Sequence, residues 1–79
     1  MPRYHFNIHD EKGLLDEEGI DLPDLATAQM EAIRLTGAML LDDASLVHSH
    51  EGWHVSVADP AGSPLLRVEV VIINLRHLH

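Results

Sequence analysis

The sequence predicts an α+β fold in the order β-β-α-β-β, with one helix packed on a small antiparallel sheet. Three observations carry that expectation. The stretch "RYHFNIH" (3–9) alternates apolar and polar residues, the period of a half-buried strand. The stretch from Asp24 to Asp43 is rich in strong helix formers behind a capping aspartate. Residues 53–75 alternate again on either side of the turn-forming "DPAGSP" (59–64). The chain reads as a single domain over 1–79, with a first hairpin at 1–15, a helix at 24–43, a second hairpin at 53–75 and a frayed tail at 76–79.

In the first hairpin Tyr4, Phe6 and Ile8 face one way, and Arg3, His5, Asn7 and His9 face the other. "DEKG" (10–13) is a turn in which Gly13 takes a positive φ, and Leu14 and Leu15 return as the second strand. "DEEG" (16–19) is an acidic break ahead of Ile20 and Leu22. Pro23 holds Leu22 extended, and Asp24 accepts from a free amide of the first helical turn. Leu22 and Ala28 are spaced as a weak hydrophobic staple.

The helix carries two apolar tracks. Leu25, Ala28, Ala32, Leu35 and Met39 form one; Ala26, Met30, Ile33, Gly37 and Leu40 form the other. Thr27, Gln29, Glu31 and Arg34 leave only a narrow polar strip. An ordinary surface helix shows an apolar arc of somewhat over 100°. This arc is wider, so one sheet covers one side and the other side calls for a second partner, most simply another copy of the chain. Gly37 costs about 1 kcal/mol relative to alanine and marks close approach by another backbone. Asp42 and Asp43 oppose the helix dipole, and "DDASLVHSHEG" (42–52) reads as a loop. In the last strand, Leu66, Val68 and Val70 alternate with Arg67 and Glu69. The run Val70 to Ile73 is apolar on both faces, as in a central strand or one covered by a partner molecule.

At 79 residues the chain buries only about 60–65% of its unfolded surface, a thin margin that favours a further means of stabilisation. Cysteine is absent, which removes disulfides and thiolate–zinc sites. The net charge is −8, and the basic residues Arg3, Lys12, Arg34, Arg67 and Arg76 are scattered. No basic stripe is present to displace counterions from phosphate, so no nucleic acid is expected; anionic membrane is disfavoured for the same reason. A basic protein partner is attracted. Protonating all seven histidines moves the charge from −8 to −1, so association is expected to depend on pH below about 6.5. "MPRYHFNI" lacks the signal-peptide pattern and no apolar run is long enough to span a bilayer, so the expected location is cytoplasmic.

Chemistry has few candidates. His5 and His9 lie four residues apart on one strand face, about 13 Å between Cα atoms, too far to share one zinc at 2.0–2.1 Å per bond. His54 on another strand is the natural third candidate, in a register the sequence does not specify. "HSHEGWH" adds His48 and His50, without an H-E-x-x-H pattern. The terminal His77 and His79 would bind metal only incidentally. The acidic run Asp16, Glu17, Glu18, Asp21, Asp24 lacks EF-hand spacing and reads as a solvated segment suited to the helix N-terminus. Serines 45, 49, 56 and 63 lie in no nucleophile elbow, and the glycines form no phosphate loop. No catalytic residue and no cofactor is expected. Trp53, Tyr4 and Phe6 are assigned to the core.

"MPRYHF" at the start, "DEEGIDLPD" before the helix, and the Val55, Val57, Asp59, Gly62, Leu65 strand–turn–strand together resemble a small uncharacterised domain family of unknown function, frequent in proteobacteria. The carriers are Pro2, Arg3, Tyr4, Phe6, Asp16, Glu18, Gly19, Leu22, Pro23 and Asp24. This chain has histidine at 5 where the family has an aromatic, and lacks a glycine after Asp10. The resemblance implies no activity, cofactor or catalytic residue. A more distant likeness is to HicB-type antitoxins, which also place a hairpin and an L-P-D-like turn before an alanine-rich helix and neutralise a basic toxin; their toxin-covering motif is not evident here. The expected function is a non-enzymatic, acidic, self-associating protein-interaction module, a dimer foremost, using Met30, Ile33, Gly37, Leu40, Val71 and Ile73. The alternatives are an antitoxin-like or regulatory partner of a small basic protein, and a histidine metal binder.

Overall fold

The structure is a computed structural model that describes residues 1–10, 12–49 and 52–78. Four strands, β1 (Arg3–His9), β2 (Ile20–Asp21), β3 (His54–Ala58) and β4 (Pro64–Glu69), form an antiparallel sheet in the order β2-β1-β3-β4. The main helix α1 (Leu25–Asp42) and a short α2 (Leu46–Ser49) lie between β2 and β3 in sequence. This is the α+β order read from the sequence, with one helix on one face of the sheet.

Alternation along β1 and β3 separates the two faces. Phe6 pairs with Val57 and Ile8 with Val55, while His5, Asn7 and His9 pair with Ala58, Ser56 and His54. Residues opposite one another in a ladder share a face. The apolar face packs against Ala28 and Ala32 of α1 in a core of Tyr4, Trp53, Val55 and Val57, flanked by Phe6, Ile8, Leu22, Leu35, Met39, Leu66 and Val68. The first helical track is thus the buried one. Thr36 joins it, its hydroxyl donating to the Ala32 carbonyl at 2.8 Å, so this buried polar group is satisfied. Asp24 caps α1 as expected, accepting from the amide (2.8 Å) and hydroxyl (2.8 Å) of Thr27.

Four expectations need correcting. The first hairpin does not close at Leu15. Leu14 exchanges two 2.8 Å backbone bonds with Ile8, the chain then bulges over 15–19, and pairing resumes at β2, with Tyr4 opposite Ile20 and Arg3 opposite Asp21. Asp16 holds that bulge. Its carboxylate accepts the Phe6 amide at 3.1 Å, as a strand carbonyl would, and also the amides of Glu18 and Gly19, while its own amide donates to Asn7 Oδ1. The 42–52 loop contains α2, whose entry is set by Asp43: its carboxylate accepts from both the amide and the hydroxyl of Ser45. The last strand is an edge strand that ends at Glu69, because its partner β3 begins at His54 and offers nothing further to pair with. Val71 to Ile73 therefore run on outside any strand among the described residues, and a 3₁₀ turn follows at Leu75–Leu78, where a frayed tail was expected. Finally, apart from the backbone of α1 itself, nothing among the described residues lies within 4 Å of a Cβ built at Gly37.

Candidate functional site

On the open face of the sheet, the register places His9 directly opposite His54, and their rings stack at 4.3 Å between centroids and 13° between planes. His9 Nε2 is 2.9 Å from Ser56 Oγ, and His54 Nδ1 donates to the Gly52 carbonyl at 2.7 Å. Burial, then the neighbouring His54 and Arg67, hold the His9 pKa below its ordinary value. Imidazole lone pairs lie in the ring plane. Two near-parallel planes do not direct them to one ion at 2.0–2.1 Å. His5 stands farther along β1, its Nδ1 donating to the Asp16 carbonyl at 2.7 Å. The three candidate ligands therefore do not converge, and no group of three or more His, Cys, Asp or Glu suited to a metal occurs among the described residues. His50 and His79 lie outside the described residues. Ser56 beside His9 has the contact of a nucleophile and its base; Ser56 is itself buried, and with His9, His54 and Arg67 it lines a shallow recess on this face.

The candidate self-association residues are placed differently. At 100° per residue, Ala26, Met30, Ile33 and Gly37 fall opposite the buried track of α1. Met30 is 50% and Ile33 45% exposed, and Gly37 is exposed. Leu40 departs from the expectation: it is half-buried and packs on the core at the flank of the stripe. Leu41, which periodicity counts missed because it belongs to neither track, is 89% exposed and prolongs the stripe. Val71 (73% exposed) and Ile73 (69%) lie on the segment beyond β4, away from α1 in sequence and outside the sheet.

A groove of about 770 Å³ opens between α1 and the bulge, lined by Phe6, Ile8, Leu14, Leu15, Ile20 and Leu35. Asp16, Glu17, Glu18 and Glu31 also line it, so an apolar recess carries an acidic border. Burial raises the Asp16 carboxyl, but the Gly19, Phe6 and Glu18 amides together with His5 outweigh it and hold the group below the usual carboxylate range. The role of Asp16 was missed in the sequence, although "DEEG" with glycine three residues on is the signal of an aspartate closing a turn on itself. Gly19 takes φ +74 there.

Fold and surface define a small acidic α+β module with an apolar core on one sheet face, a histidine-bearing polar face and exposed apolar side chains on its helix. The chain belongs to a family described as a domain of unknown function, DUF6894, whose model matches residues 3–71. The resemblance read from the first strand and the D-x-E-G-x-x-L-P-D stretch is thus borne out. No curated protein and no solved structure matches the chain. No helix among the described residues is long and apolar enough to cross a membrane.

Proposed function

We propose that this chain is a non-enzymatic protein-interaction module that self-associates, with the outer stripe of α1 packed on the same stripe of a second copy. The observation that carries the reading is the stripe itself. Ala26, Met30, Ile33, Gly37 and Leu40 recur at 4-3-4-3 spacing, the seam along which two helices pack. Gly37 has open space where a side chain would stand, so a partner helix can come close. Leaving Met30, Ile33 and Leu41 in water forgoes burial worth about 25 cal/mol per Å² of apolar area. Sedimentation velocity at micromolar concentration tests the reading: dimers are expected, and Met30→Glu with Ile33→Glu returns the chain to monomer. A wild-type protein that stays an 8.8 kDa monomer throughout overturns it.

A second reading, a regulatory partner of a small basic protein, is favoured by the net charge of −8 and by the exposed carboxylates around the bulge. Salt dependence separates the two readings, as argued below.

A further inference from the structure

The segment that follows β4 leaves most of its apolar surface in water. Val71, Ile72, Ile73 and Leu75 are each between 64% and 73% exposed, three large apolar side chains in succession and a fourth past Asn74, beyond the last ladder pair, His54 with Glu69. The molecule is drawn out to 50 Å along one axis against 25 and 23 Å on the others. An 18-residue helix accounts for about 27 Å of that length. The radius of gyration, 14.0 Å, exceeds the roughly 12 Å of a compact chain of this size. Immediately after the apolar run comes Arg76, which forms no ion pair among the described residues.

The groove between α1 and the bulge is the complement of this segment. It is apolar within, through Phe6, Ile8, Leu15, Ile20 and Leu35, and acidic at its border, through Glu17, Glu18 and Glu31. Its volume lies in the range that holds several side chains. The groove opens beside β1 and β2, whereas the segment leaves from β4, at the opposite edge of the sheet. Where the segment departs, Val70, Val71 and Ile72 line a shallow recess with Val47, His48 and Trp53. Each copy thus carries a donor on one side and an acceptor on the other.

We propose that residues 70–75 of one copy dock in the acid-bordered groove of a second copy, with Arg76 meeting Glu17 and Glu18. Reciprocal exchange closes the pair about a two-fold axis, so no further copy is recruited. The inference rests on the reading of the chain as self-associating, but not on the α1 stripe as the contact.

Because the chain has no cysteine, introduced ones report the contact cleanly. Two full-length chains of distinguishable mass are mixed, one carrying Leu15→Cys and the other Ile73→Cys, then oxidised mildly and weighed intact. The expected product is the mixed dimer, in excess over either homodimer. In otherwise unaltered chains, Ile73→Asp weakens dimerisation by about tenfold or more. Arg76→Glu weakens it less, and Glu17→Lys with Glu18→Lys restores it. Both side chains at 15 and 73 are exposed, so neither change threatens folding. A mixed dimer no more abundant than either homodimer overturns the exchange, as does the absence of any link. If wild type is a monomer, self-association itself fails. If dimers survive Ile73→Asp but not Met30→Glu with Ile33→Glu, the stripe is the contact and the exchange alone falls.

Discussion

Gly19 shows how much one position constrains the bulge. Its φ is +74, and a Cβ there would stand 2.9 Å from Arg3 Cγ and 3.0 Å from the His5 ring. Gly13 has a similar φ of +70 but nothing within 4 Å. Gly13→Ala therefore meets backbone strain alone, about 1 kcal/mol, while Gly19→Ala adds a clash and is expected to cost about 2–3 kcal/mol in urea unfolding. The Arg3–Asp21 pair beside it, Nε to Oδ1 at 3.1 Å, is half exposed and adds little. His9 gives a prediction in pH. Its pKa is lowered in the folded state by burial, then by His54 and Arg67; Ser56 contacts it, and Glu69 stands opposite His54 in the ladder. The unfolded chain therefore binds its proton first. Stability is expected to fall as pH drops below about 6.5, through the lowered folded value, and then to level off as far as this group is concerned. His9→Gln is expected to remove that part of the decline between neutral and mildly acidic pH in urea midpoints, with the other histidines common to both proteins. Asp16, also lowered when folded, contributes a separate loss at more acid pH, as its carboxylate is protonated. The stacking of His9 on His54 was not legible in the sequence: alternation assigns both to a polar face, but only the pairing of β1 with β3 sets them opposite one another.

The elements divide by what periodicity reports. β1, α1 and the β3–β4 hairpin were legible because each repeats its pattern over several residues, and two of them carry a recognisable signal: Asp24 at the N-cap of α1, and Pro60 and Gly62 in the hairpin turn, where Gly62 donates to the Asp59 carbonyl at 2.9 Å. β2 was not, because Asp16 replaces a strand carbonyl with a side chain, and such a bond leaves no period. Of the two readings of the 70–73 run, a central strand or one covered by a partner molecule, the first fails for a different reason. Its composition fits a central strand, but whether a strand is central depends on neighbours the local sequence does not name. Periodicity gave α1 two apolar tracks without saying which is buried; packing on the sheet buries the one with Ala28 and Ala32, and the outer track poses the sharper test. Gly37→Ala removes a flexible residue from the middle of an exposed helical surface and fills space empty in the chain. In the isolated copy it is expected to raise stability by about 0.5–1 kcal/mol. In a dimer packed along the stripe, the added methyl meets the partner and weakens association. Thermal melts at low concentration and sedimentation at high concentration should move in opposite directions. Movement in the same direction would place the contact elsewhere than Gly37.

Two copies that meet each bring a charge of −8, and this sets the sign of the salt effect. The repulsion is long-range and falls away when the screening length drops to about 10 Å at 0.1 M salt. Burial of Met30, Ile33 or the 71–75 side chains is apolar and does not weaken with screening. The Arg76 contact does weaken, but it is one cation in each copy against a net excess of eight negative charges. Self-association through apolar surface is therefore expected to tighten severalfold from low to moderate salt, read as a falling dissociation constant in sedimentation equilibrium. Capture of a basic protein runs the other way, because attraction between opposite charges speeds encounter and is screened by the same ions. Acidification offers a check on the cause. Protonating the histidines moves the net charge from −8 toward −1 and removes much of the repulsion at constant salt. An association governed by charge repulsion tightens on mild acidification as well as with salt, until the loss of stability at His9 begins to unfold the copies. Tightening with salt but not with acid would point instead to histidines buried neutral in the contact, and the open sheet face around His9 and His54 would then be the surface to mutate.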